Sequence, residues 1–141
     1  IEYDPTGTVR RMVLSDGVQI RFEYDAAQRL VQVIDGLGNR LELTLNPAGE
    51  VVGEHIRDAS GALLRTLTRT FDTLGRLQSV RDADLRSASF AYEDGRLALE
   101  TDPLGRKTRH TYDALGRLRT TLQDVDGIAA RSEQRYDALD R

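Results

Sequence analysis

The sequence predicts an all-β fold built from repeated antiparallel hairpins, on three observations. The first is a phrase that recurs along the chain. Tyr112-Asp113-Ala114-Leu115-Gly116-Arg117-Leu118 reappears as Phe71-Asp72-Thr73-Leu74-Gly75-Arg76-Leu77. Tyr24-Asp25-Ala26-Ala27-Gln28-Arg29-Leu30 lacks only the glycine, and Tyr92-Glu93-Asp94-Gly95-Arg96-Leu97 is one turn residue shorter. Tyr3-Asp4-Pro5-Thr6-Gly7, Leu45-Asn46-Pro47-Ala48-Gly49 and Tyr136-Asp137-Ala138-Leu139-Asp140-Arg141 complete the series, with starts at 3, 24, 45, 71, 92, 112 and 136. A spacing of 20 to 26 residues marks one supersecondary unit repeated along residues 1–141. The second observation is a regular turn signal, and the third is period-two alternation between the turns.

The turns come first in the argument because their chemistry is local. Asp or Asn, two residues, then Gly occurs at Asp4–Gly7, Asp35–Gly38, Asn46–Gly49, Asp58–Gly61, Asp72–Gly75, Asp102–Gly105, Asp113–Gly116 and Asp124–Gly127. An Asp or Asn side chain accepts from the backbone ahead of it and opens a type I turn; a glycine in the left-handed region closes it into a hairpin. All three prolines follow the Asp or Asn directly, where a fixed φ suits the turn. Ser15-Asp16-Gly17, Asp25–Gln28, Glu93-Asp94-Gly95, Asp82–Leu85 and Asp137–Asp140 are weaker members of the same series. Each unit therefore holds two turns and two strands.

The strands follow by alternation. Val18, Ile20, Phe22 and Tyr24 share a face, with Gln19, Arg21 and Glu23 on the other. Leu41, Leu43 and Leu45 alternate with Arg40, Glu42 and Thr44, while Leu63, Leu67 and Phe71 share their face with Arg65 and Arg69. Six of the eight aromatic residues open a repeat, and Phe22 and Phe90 lie two before a tyrosine, so every aromatic ring can point to one face. No stretch carries helical spacing with caps. The expected result is a curved sheet whose aromatic face is concave.

Composition narrows the function. At 39% hydrophobic and 30% charged residues the chain reads as one ordered domain, and no apolar run reaches membrane-spanning length. A net charge of −3, with 19 arginines and one lysine spread along the chain, argues against a nucleic-acid surface. Cysteine is absent, which removes disulfides, zinc thiolate sites and thiol catalysis. Ile1 in place of an initiating methionine, and repeats running to both ends without caps, lead to the expectation of a fragment of a longer chain.

The tyrosine-aspartate opening, the Gly-Arg-Leu continuation and the second Asp-x-x-Gly turn together resemble the YD repeat of the RHS family, over essentially the whole chain. That resemblance implies a panel of a spiralling hollow shell, as in polymorphic bacterial toxins, the C component of Tc toxins and teneurins. It implies, as partners, the remainder of the chain's own shell, an enclosed C-terminal toxin polypeptide and a component of a secretion system, in a protein secreted or held at the bacterial cell surface. The family's self-cleaving segment carries Asp-Pro-x-Gly-Leu; Asp102-Pro103-Leu104-Gly105 begins like it, but Arg106 replaces the leucine. Asp102 is accordingly read as a turn residue with no protease role.

No catalytic, cofactor-binding or metal-binding residues are assigned, and no enzyme activity is expected. His110 occupies the slot of Phe22 and Phe90 and reads as a substituted aromatic; His55 reads as a plain strand residue. Aspartates invite calcium, and Asp82, Asp84, Asp124 and Asp126 come closest to a cluster, but one regularly placed carboxylate per turn is fewer than the six to eight oxygens that the ion takes. Arg76, Arg96, Arg106 and Arg117, each following a turn glycine, are expected to pair across strands. The alternative to a shell is a cell-surface adhesion or carbohydrate-binding module, which would display Tyr24, Tyr92 and Tyr112 as open platforms.

Overall fold

The computed structural model describes residues 1–124, 127 and 129–137. Among them there is no helix, and thirteen strands are found: β1 (Glu2–Tyr3), β2 (Val9–Val13), β3 (Gln19–Tyr24), β4 (Leu30–Ile34), β5 (Arg40–Leu45), β6 (Val51–Arg57), β7 (Leu63–Phe71), β8 (Leu77–Asp82), β9 (Ser87–Glu93), β10 (Arg96–Thr101), β11 (Lys107–Tyr112), β12 (Leu118–Gln123) and β13 (Ala130–Glu133). The chain divides into two compact units, Ile1–Thr70 with Asp82–Asp84, and Phe71–Arg81 with Leu85–Arg141. In the first, β1 to β7 pair antiparallel in chain order. In the second, β8 to β13 do the same.

The turns form where the sequence puts them. In eight of the described turns, and also at Leu14, one frame recurs: the opening residue donates its N–H to the carbonyl four residues on, and the residue three on donates back. The closing glycines sit in the left-handed region, with φ of 75° at Gly75, 81° at Gly105 and 80° at Gly116. Gln28 and Leu85 hold the same conformation without being glycine, each at φ 62°. That conformation is uncommon for L-residues outside Asn, Asp and Gly.

Two turns depart from the expected type. Glu93 pairs directly with Arg96, leaving Asp94 and Gly95 as a two-residue loop with φ of 49° and 78°. Positive φ at both central positions is a type I′ turn, whose twist matches the flanking strands. Losing one residue has changed the turn type instead of weakening the turn. At Asp124–Gly127 the positive φ falls on Asp124 (53°) and Ala129 (56°), and not on the glycine.

The hairpins at the tyrosine-aspartate turns share a further feature. Tyr3 pairs with Val9 but Glu2 with Arg11, so Arg10 is an extra residue. The same shift leaves Val31, Val52, Ala98 and Arg119 as single extra residues in their hairpins. These are β-bulges, which bend the strand and interrupt the ladder. The turns at the other ends of the strands close without one at Val13–Gln19, Ile34–Arg40 and Thr101–Lys107; Leu64 is the exception.

Among the described residues neither unit encloses a core. Ile34 and Ala98 are the buried hydrophobic residues, at 9% and 7% exposure, and no described side chain is completely buried. Each sheet is a single layer with both faces reaching solvent, and most apolar side chains of the strands are half-buried. Leu37, Leu74, Leu104 and Leu115 stand exposed at the tips of four turns.

Candidate functional site

The strongest recurring constellation is not a pocket but a clamp that joins consecutive repeats, assembled from the recurring letters of the phrase. It starts at the turn aspartate. One oxygen of Asp113 accepts from the backbone N–H groups of Leu115 and Arg117 at 2.9 and 3.0 Å. The other accepts from Nε and a terminal nitrogen of Arg117, both at 2.7 Å. Asp25 with Arg29, Asp72 with Arg76 and Asp102 with Arg106 repeat the fork. The expected cross-strand role of Arg76, Arg106 and Arg117 is thus corrected: four residues of tight turn bring their guanidinium back onto their own aspartate. Cross-strand pairs fall elsewhere, at Arg57–Glu42 (3.0 Å) and Arg69–Glu54 (2.9 Å).

The forked arginine then reaches the next repeat. Arg76 stacks over the ring of Tyr92 and Arg117 over that of Tyr136, each 4.5 Å from the centroid. A guanidinium held flat by a carboxylate is well placed for such a cation–π contact. Arg96 has no aspartate four residues earlier and lies over Tyr112 at 5.8 Å, with its guanidinium against bare Gly116. Where Leu45 replaces the tyrosine, Arg29 donates to the Asn46 carbonyl at 3.2 Å instead.

The tyrosine hydroxyl closes the clamp. Tyr24 donates to the carbonyl of Val9 at 3.1 Å, Tyr92 to Leu77 at 2.9 Å, Tyr112 to Leu97 at 2.9 Å and Tyr136 to Leu118 at 2.8 Å. Val9, Leu97 and Leu118 are each the residue just before a bulge. A bulge disturbs the ladder there, and an incoming hydroxyl satisfies the backbone acceptor. In three of the four cases the spacing from carbonyl to tyrosine is 15 residues, a regularity visible in the sequence once the bulge is known.

Electrostatics follow the same geometry. The carboxyl of Asp4 is held down to about 2 by the hydroxyls of Thr6 and then Thr8. Asp25 and Asp72 are lowered mainly by their arginine side chains, Asp35 by Asn39 and Asp58 by Ser60. Asp113 is lowered foremost by the backbone N–H of Arg117. At Asp102 burial, which raises the value, is the largest single influence, yet the bonds to Arg106 and Leu104 together outweigh it. Asp102 is therefore an ionised turn residue with both oxygens committed. Its surroundings include a groove of about 540 Å³ lined by Phe90, Glu100, Thr108 and Arg106.

The histidines belong to different units. Nδ1 of His55 is 2.6 Å from the Thr66 hydroxyl, and Nδ1 of His110 is 3.4 Å from that of Thr121. Each faces a threonine directly across the ladder. His110 is half-buried on the face of Tyr112, and its Nε2 is 3.9 Å from Glu100. Among the described residues no three His, Asp or Glu side chains converge as metal ligands; Asp126 lies outside them. Tyr24, Tyr92 and Tyr112 are half-buried with their hydroxyls engaged, and Tyr3, at the edge, is 61% exposed.

Hairpins clamped one to the next by short-range contacts define a repeat ribbon, in which each unit is stabilised chiefly by its neighbours. The chain belongs to the RHS Repeat family, whose profile matches residues 3–40 and 92–129. It is 38% identical over 121 residues to Double-stranded DNA deaminase toxin A of Burkholderia cenocepacia (strain H111), a match covering 84% of this chain and 8% of that protein. Among solved structures it is similar to the crystal structure of TcdB2-TccC3-TEV, with a TM-score of 0.79 at 16% identity over 100% of this chain and 8% of that one. It is also similar to a Photorhabdus luminescens Tc holotoxin pore structure, with a TM-score of 0.64 at 16% identity over 94% and 9%. These structures share the fold, and the chain spans less than a tenth of each of the three proteins. It is a structural repeat segment, and no helix among the described residues is long and apolar enough to cross a membrane.

Proposed function

We propose that residues 1–141 are one stretch of the wall of an RHS shell, and that the complete wall encloses a polypeptide carried C-terminal to the repeats, a toxin in a secreted bacterial protein. The observation that carries this reading is the absence of an enclosed core in either unit beside a clamp that recurs with each repeat. A single-layer sheet with apolar side chains on its faces needs further protein against it. The similarity to a deaminase toxin supports a toxin as the enclosed chain. The adhesion or carbohydrate-binding alternative is less favoured, because the rings it needs spend their hydroxyls on backbone carbonyls.

The test uses the complete protein that contains this segment. Limited proteolysis followed by intact-mass analysis should leave the polypeptide C-terminal to the repeats uncut while the repeats remain folded, and expose it once they are denatured. Digestion of that polypeptide at the rate of the isolated polypeptide would rule out enclosure.

A further inference from the structure

The first unit carries a row of four arginines of which its own carboxylates engage only the outer two. Register places Arg11 opposite Arg21, Arg21 opposite Ile34, Ile34 opposite Arg40, and Arg40 opposite Arg57. Residues directly opposite in an antiparallel ladder share a face, so the five side chains form one line across β2 to β6. Like charges stand directly opposite at both ends of the line, an arrangement that opposes folding. Glu2 reaches Arg11 at 3.2 Å, and Arg57 is held by Glu42 and by the Gly61 carbonyl. Arg21 and Arg40 are exposed and have neither a hydrogen-bond nor an ion-pair partner among the described residues. Nε of Arg11 is buried and unpartnered.

The line has a definite metric. Strands lie about 4.8 Å apart, so the midpoints of the two arginine pairs are about 14 Å apart, with Ile34 halfway between them. An extended chain advances about 13–14 Å from residue i to i+4. Acidic residues at i and i+4 thus meet one arginine pair each, and residue i+2 passes over Ile34, which is itself buried. The neighbouring row on the same face, two residues along the strands, holds Glu23, Gln32, Glu42 and His55. Glu23 lies about 7 Å along the strand from Arg21, and Glu42 sits beside the row paired with Arg57 at 3.0 Å; both negative charges disfavour a ligand charged all around, such as a polyphosphate or an anionic membrane.

We propose that the Arg11–Arg21–Ile34–Arg40–Arg57 row is a docking strip for an extended polypeptide segment with acidic residues at i and i+4. Guanidinium forks suit carboxylates, and Glu2 on the adjoining strand makes one such nitrogen–oxygen contact with Arg11 within the chain. The strip stands on the register of the first unit and does not depend on the shell reading.

The test measures binding of this chain to a fluorescein-labelled peptide repeating Glu-Thr-Val-Thr-Glu, by anisotropy at low and high salt, with a lysine-for-glutamate peptide as control. The acidic peptide should bind at low salt and be released at high salt, while the lysine peptide should not bind. Arg21→Gln with Arg40→Gln should weaken the acidic peptide by about tenfold or more. Arg65→Gln, on the opposite face of the same unit, should change it by less than about twofold. The double variant should melt no lower than the parent, since it relieves facing like charges. Unchanged binding by the double variant, equal weakening by Arg65→Gln, a lowered melting temperature, or tighter capture of heparin or anionic vesicles than of the peptide would each overturn the proposal.

Discussion

A single hydroxyl joins two repeats at Tyr112, and its contribution can be isolated. The ring is half-buried, and its oxygen donates to the Leu97 carbonyl beside the bulged Ala98. Tyr112→Phe keeps the ring and removes the donor, so urea unfolding should show a loss of about 1 kcal/mol. Tyr3→Phe, on an exposed edge ring, should show almost none. Glycines separate by the same logic. A Cβ at Gly105 meets nothing within 4 Å, so Gly105→Ala should cost only the left-handed strain, about 1–2 kcal/mol. At Gly116 a Cβ would lie 2.1 Å from a terminal nitrogen of Arg96, so Gly116→Ala adds displacement of that side chain from Tyr112. The excess of Gly116→Ala over Gly105→Ala should vanish in an Arg96→Ala background, as a double-mutant cycle would report.

At the scale of the hairpin, the turns should set the acid limit of stability. The turn carboxyls have folded values below their ordinary one, so their stabilisation is complete above about pH 4 and is lost as pH falls toward the folded values, about 2 for Asp4. Melting temperature should be nearly flat from pH 8 to 5 as far as these groups govern it, then fall between about pH 4 and 2. A fall centred well above pH 5 would show that these carboxyls do not set the limit. These turns were legible in the sequence because Asp, Gly and Pro act within four residues of chain. Strand placement was legible for the same reason, the alternation being fixed by a period of two. Interactions set by register were not. The fork of Asp72 with Arg76 needs the turn's closure, the hydroxyl contact of Tyr112 needs the bulge at Ala98, and the arginine row needs the pairings of β2 to β6. Gln28 and Leu85 fill the glycine slot of the weaker turns Asp25–Gln28 and Asp82–Leu85, and only that position, not their residue type, signals the positive φ they adopt.

For the molecule as a whole, the accessible surface shows how little the chain covers by itself. It leaves 9836 Å² exposed, whereas a globular chain of 15.8 kDa leaves about 7,300 Å². Apolar side chains at the turn tips, Leu37 and Leu104 among them, are already hydrated in the folded state, as are both faces of each sheet in part. Unfolding therefore exposes less new apolar area per residue than it does in a globular domain, and heat capacity is the quantity that reads this directly. Scanning calorimetry of the chain should give a heat-capacity increment below the usual 12–15 cal/mol/K per residue, about 12 being the floor for globular domains. The value should not depend on protein concentration. An increment within the globular range at every concentration would mean that the chain covers its own faces in solution. One that rises with concentration would mean that copies cover each other. A low and constant increment would leave both faces of the sheet free for further protein, as the proposed shell requires.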